Sequence, residues 1–152
     1  MITGIIAASF ERPTAILEAF CGRRPFTRRI DGTSAVNKIV NISVNDVFLS
    51  LLIRGNSIDL PILLVVHGGP GGTDIPFAKP YSALEENFLV VHYDQRGACK
   101  SYILNRNLPD FQAKLTLKNH VEDAIAVAKW LLENYGEKRK KIFLFGGSWG
   151  SM

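Results

Sequence analysis

The stretch Lys141–Gly150, KIFLFGGSWG, decides how the rest of the chain is read. Its first half is a short apolar run without polar alternation, the pattern of a strand buried on both faces. Its second half, Gly146-Gly147-Ser148-Trp149-Gly150, fits G-x-S-x-G. In that pattern the chain leaves a strand through a turn so tight that the serine is strained. Only glycine at the flanking positions lets the backbones pass. The turn leaves the serine Oγ exposed at the top of the sheet, so Ser148 is the candidate nucleophile. A five-residue pattern in a Gly-rich chain takes its meaning from the strand in front of it.

Two further apolar runs end in loops that could serve such a nucleophile. PILLVVHGG (Pro61–Gly69) reads as a buried parallel strand and opens into His67-Gly68-Gly69-Pro70-Gly71-Gly72. A glycine-rich loop there can present backbone N–H groups to a developing oxyanion. A phosphate cradle does not fit, because no Gly-Lys-Ser/Thr follows and Asp74 stands where G-x-G-x-x-G needs its third glycine. FLVVHYD (Phe88–Asp94) reads as a second buried strand and runs into the turn-rich segment QRGACKS. Sites in α/β folds form on loops at the C-terminal ends of such strands. An Asp94–Arg96 ion pair is the expected role for those two residues, a structural one. His92 within a strand and His120 within a helix are assigned structural roles as well, which leaves His67 as the histidine near the site.

Before these strands, alternating apolar residues in two runs, Ile39 to Val44 and Val47 to Gly55, flank Asn45-Asp46 and predict a β-hairpin at a sheet edge. A short helix is predicted around Pro80–Asn87. A longer one follows, with Leu117, Val121, Ala124, Ile125, Ala128, Leu131 and Leu132 as its core-facing stripe, Thr116 as N-cap and Gly136 as the C′ residue. The order is that of an α/β fold. Residues 1–36 form a lead-in with a helix through TAILEAF and no assigned chemistry, and residues 37–152 form one domain.

At 152 residues, with 47% hydrophobic and 21% charged residues, the chain can bury a real core. The net charge of +4 comes largely from CGRRPFTRR (Cys21–Arg29) and EKRKK (Glu137–Lys141), read as a solvated linker and a helix end and not as a nucleic-acid or membrane patch. The apolar run ITGIIAASF is too short to span a bilayer and lacks the basic start of a signal peptide. Cys21 and Cys99 lie far apart and suggest neither a disulfide nor a zinc site. A reducing, cytoplasmic setting is the expectation.

Taken together and in this order, HGGPGG, YDQRGACKS and GGSWGS resemble the α/β-hydrolase superfamily, and within it the prolyl iminopeptidase (proline aminopeptidase) family. The resemblance runs from about Lys38 to the end and implies the N-terminal half of an α/β-hydrolase fold, truncated after the nucleophile-bearing strand. It implies Ser148 as nucleophile and the backbone N–H groups of Gly69 and Trp149 as oxyanion-hole donors. It implies a small peptide or acyl substrate and neither metal nor organic cofactor. The segment from Asp94 to Gly97 becomes a scaffold for the site. Where the family commonly has glycine, this chain has Cys99. The acid and histidine of the triad follow the serine in that fold, and four residues reach at most about 14 Å. The chain is therefore expected to be inactive alone, an incomplete hydrolase from a truncated gene, a partial gene model or an interrupted reading frame. The alternatives are an esterase, lipase or amidase, and a non-catalytic fragment or one half of a split enzyme whose partner is a separately encoded C-terminal half.

Overall fold

A computed structural model describes Cys21, Ile30, residues 32–136 and residues 141–152. The lead-in helix and most of both basic clusters lie outside these residues. Among the described residues, five strands form one sheet: β1 (Val36–Val44), β2 (Val47–Gly55), β3 (Ile62–Val66), β4 (Leu89–Tyr93) and β5 (Phe143–Gly146), in the order β1-β2-β4-β3-β5. The hairpin stands as predicted, with β1 at the edge and Val44 paired with Val47 across the turn. Asn45 and Asp46 both have positive φ, 47° and 61°, as a two-residue hairpin loop whose twist matches its strands requires. β2 joins β4 antiparallel, while β3 runs parallel to both β4 and β5.

The core forms where the apolar runs predict it. Leu49, Leu51, Ile53, Ile62, Leu64, Leu89 and Val91 are buried in one cluster, with Val127 and Leu131 packing on it from the long helix. Burying each such side chain contributes roughly 1.5–3 kcal/mol.

Two helices cover the polar connections. QRGACKS is not only a turn: helix α1 (Cys99–Asn105) begins inside it. Tyr102 packs against the core cluster, and tertiary hydrogen bonds fix the polar side. Ser101 Oγ donates to the Asp94 carbonyl at 2.7 Å and accepts from Ser50 N at 2.9 Å, while the Asn105 amide exchanges bonds with both backbone groups of Phe48. The predicted helix near Pro80 is a 3₁₀ segment, Lys79–Glu86, anchored by a buried two-point ion pair from Glu85 to Arg54 at 2.6 and 3.1 Å. Helix α2 (Leu117–Tyr135) starts as expected, with Thr116 Oγ1 accepting from Asn119 N. Gly136 is its C-cap at φ −96° rather than a left-handed C′ residue. Of the predicted stripe Leu131 is fully buried, whereas Leu117, Val121 and Ile125 remain exposed; the face that packs on the sheet is a neighbouring one, with Asp123 and Val127 buried beside Leu131. The three exposed residues face a groove beside β5, whose Phe143, Leu144 and Phe145 are 53%, 67% and 52% exposed.

The cysteines correct the sequence reading. Cys21 and Cys99 form a disulfide, with Cα atoms 5.5 Å apart across 78 residues of sequence. The fold supplies a proximity that spacing along the chain could not reveal, and the cysteines no longer argue for a reducing compartment. Among the described residues, no helix is long and apolar enough to cross a membrane, and no cluster of His, Cys, Asp or Glu could hold a metal ion.

Candidate active site

Ser148 directly follows β5 and Gly147, is exposed, and has φ 53°, a left-handed conformation that is uncommon outside glycine. The flanking glycines explain how the turn closes. A β-carbon at Gly146 would lie 2.2 Å from the Gly150 carbonyl oxygen, and one at Gly150 would lie 2.1 Å from that of Val66. The intervening Gly147 has open space around it. The G-x-S-x-G spacing is thus a record of two backbone contacts, one inside the turn and one to the neighbouring strand. Residues 148–151 continue as one 3₁₀ turn, with Ser151 Oγ donating to the Ser148 carbonyl at 2.7 Å.

The loop after β3 meets this turn. A β-carbon at Gly68 would stand 3.3 Å from Ser148 Cβ and 3.8 Å from its Oγ. Gly69 has φ 138° and precedes a cis peptide bond to Pro70. Of the two predicted oxyanion-hole donors, Gly69 sits in this loop and Trp149 in the turn. Neither N–H donates to an acceptor among the described residues.

His67 is committed elsewhere. Its Nε2 accepts the Gln95 backbone N–H at 3.0 Å, so the ring proton resides on Nδ1, which donates to the Gly68 carbonyl at 2.7 Å. With both nitrogens engaged, His67 fastens the β3 loop to the β4 loop and is not placed as a base. Gln95 Nε2 completes the clamp by donating to the His67 carbonyl at 2.8 Å.

The expected Asp94–Arg96 pair is not formed. Asp94 turns toward the site loops, accepting from Thr73 Oγ1 and, at 3.0 Å, from Lys100 N at the start of α1. Burial raises its carboxyl pKa, against the opposing pull of those hydrogen bonds. Arg96 points the other way and makes a buried two-point pair with Asp123 of α2, both contacts at 2.7 Å. Asp123 also accepts from the Asn45 side chain in the hairpin turn, at 3.0 Å. Neighbouring residues in a strand-end loop point to different layers, which accounts for the correction. Asp123, Thr73 and Gln95 complete the scaffold. Only Gln95 lay in a motif singled out from sequence; Asp123 lies outside the stripe predicted to face the core, so no local signal marked it.

His92 lies within β4 and His120 within α2, as the sequence placed them. His120 borders a cavity of about 360 Å³ together with Gln95, Leu144 and Trp149, and meets the Trp149 ring edge-on at 6.1 Å between centroids. Burial lowers its pKa, with Arg96 and His67 acting in the same direction and Asp123 opposing. His92 is buried against Tyr81, centroids 4.6 Å apart, and burial followed by the charge of Arg54 holds its pKa down at about 4. No hydrogen bond joins Ser148 Oγ to a base among the described residues.

This arrangement, with a strained serine after a parallel strand and a glycine-rich loop beside it, agrees with comparisons with known proteins. The profile described as the alpha/beta hydrolase fold matches residues 61–152. The chain belongs to the α/β-hydrolase fold family. Within that family it is 36% identical over 112 residues to the Probable aminopeptidase YbaC of Bacillus subtilis (strain 168), covering 73% of this chain and 33% of that protein. It is also similar to the crystal structure of a proline iminopeptidase-related protein of Thermus thermophilus, with TM-score 0.59 and 29% identity over 76% of this chain and 37% of that one. A Pyrococcus furiosus esterase shares the fold, with TM-score 0.54 at 23% identity over 85% of this chain and 48% of that one. The chain spans about a third of the length of the curated relative it matches. As a member of this family, it carries part of the fold as a mixed five-stranded sheet with helices.

Proposed function

We propose that this chain supplies the nucleophile and the oxyanion donors of a serine aminopeptidase of the prolyl iminopeptidase type. Ser148 Oγ attacks the carbonyl of an N-terminal proline or a related residue, and the amine-bearing remainder of the peptide leaves with a proton. An acyl-Ser148 ester forms and water then hydrolyses it. The N–H groups of Gly69 and Trp149 receive the charge that develops on the carbonyl oxygen. The observation that carries this reading is Ser148 at φ 53° between two tightly packed glycines, with Gly68 against it. The 36% identity to a probable aminopeptidase directs the substrate class.

A serine hydroxyl needs an adjacent base, and loss of the triad histidine in a comparable enzyme costs about a million-fold in turnover. The described residues bring no such base to Ser148, so in this reading the 152-residue chain is inactive alone and its acid and histidine come from polypeptide supplied beyond it. The test is hydrolysis of proline 2-naphthylamide and of p-nitrophenyl acetate by the chain alone and with the polypeptide encoded downstream. Release of naphthylamine only by the pair is expected. Ester hydrolysis without naphthylamide hydrolysis would replace the aminopeptidase reading with an esterase one, and no turnover from either preparation would leave a non-catalytic protein.

A further inference from the structure

The disulfide joins the site scaffold at a point of tension. Cys99 is the first residue of α1 and has φ 34°, a left-handed conformation that glycine adopts freely and a side-chain-bearing residue resists. The next residue, Lys100, donates its N–H to Asp94 Oδ2 at 3.0 Å, and the other oxygen of that carboxylate accepts from Thr73 Oγ1. Thr73 follows immediately on the glycine loop that contains Gly69. The bond from Cys21 therefore ends one residue from a group that hydrogen-bonds to a carboxylate holding two loops of the candidate site together. Cys99 itself is buried, and among the described residues no other covalent link ties distant parts of the chain.

We propose that the Cys21–Cys99 disulfide is a reducible tether that fixes Cys99 in its left-handed conformation and so keeps the Lys100–Asp94–Thr73 connection closed. A dithiol would open it. One thiolate attacks a cysteine sulfur to give a mixed disulfide, the second thiol displaces the remaining cysteine thiolate, and two electrons and two protons pass to Cys21 and Cys99 as the reagent closes to its own disulfide. Once released, Cys99 relaxes toward negative φ. The Lys100 N–H then turns away from Asp94, and the loop carrying Thr73 loses one of its anchors. This tether depends on the connectivity of the scaffold and not on the proposed reaction.

The chain has two cysteines, which makes the test direct. Protein isolated without reductant and alkylated after unfolding should take up no iodoacetamide, and after dithiothreitol it should take up two equivalents. Reduction should lower the melting temperature by about 10 °C, given a cross-link closing a loop of this length. It should also speed hydrogen exchange at the Lys100 amide at least tenfold, while amides in the middle of β3 change no more than global stability requires. Cys21→Ser should show the faster exchange and lower melting point with or without dithiothreitol. Cys99→Gly removes the bond together with the strain and should keep Lys100 protected. Two free thiols in the unreduced protein would overturn the proposal. So would an intact disulfide whose reduction leaves Lys100 exchange unchanged.

Discussion

The loops that follow β3 and β4 and the turn that follows β5 are held by different means. The first pair is locked by side chains drawn from several layers. His67 and Gln95 clamp the loops to each other, Asp94 joins Thr73 to the start of α1, and Arg96 and Asp123 carry the connection to α2 and to the hairpin. The turn at Ser148 is shaped by its own backbone and by glycine contacts, on a strand whose side chains are more than half exposed. Side-chain bonds thus hold the loops after β3 and β4, while the turn at Ser148 depends on close backbone passage. Damage to the first should cost stability, and changing the exposed side chains of β5 should leave stability nearly unchanged.

The largest expected effect comes from opening the scaffold. Asp123→Ala leaves Arg96 buried without its carboxylate and should lower unfolding free energy by about 3–5 kcal/mol, the usual result of breaking one partner out of a buried pair. Urea denaturation measures it. A loss below about 1 kcal/mol would show that the pair does not hold α2 to the loop.

A smaller effect should follow pH. Folded His92 takes up a proton only near pH 4, whereas the unfolded ring does so near 6.5. Between those values the unfolded chain binds more protons, so stability is intact above about pH 6.5 and falls as the pH drops toward 4. Between about pH 7 and pH 5 the loss attributable to this ring is up to roughly 2 kcal/mol. His92→Phe should flatten that part of the pH profile, and an unchanged profile would assign the dependence to other groups.

The smallest effect is expected on β5. Leu144→Lys, on a strand already open to solvent, should change unfolding free energy by no more than about 0.5 kcal/mol. The same change should reduce self-association in sedimentation experiments, because an exposed apolar edge strand is a template for pairing. A large loss of stability would mean that the groove beside β5 is filled in the folded protein.

The sequence made the strand-based features legible because their signals are local. Apolar runs mark β3 and β4, Asn45-Asp46 marks the hairpin, and the glycine spacing around Ser148 reflects contacts within five residues and to one neighbouring strand. What escaped were features decided by distant partners. Helix α1 is fixed largely by hydrogen bonds to Ser50, Phe48 and Asp94. Arg96 and Asp94 are near neighbours in sequence but find separate partners, 27 and 21 residues away. The cysteines meet only because the fold closes 78 residues between them. Part of the α2 stripe reads as core from its periodicity, yet it lines an open groove.

The central claim is that Ser148 is the nucleophile and that a base must be brought to it. Intact-mass and peptide analysis after treatment with a fluorophosphonate tests it most directly, using the chain alone and the chain combined with the polypeptide encoded downstream. The account predicts one adduct, on Ser148, formed rapidly in the combined protein, at no more than background rate in the chain alone, and absent from Ser148→Ala. An adduct on any other residue, or one that persists in Ser148→Ala, would contradict it.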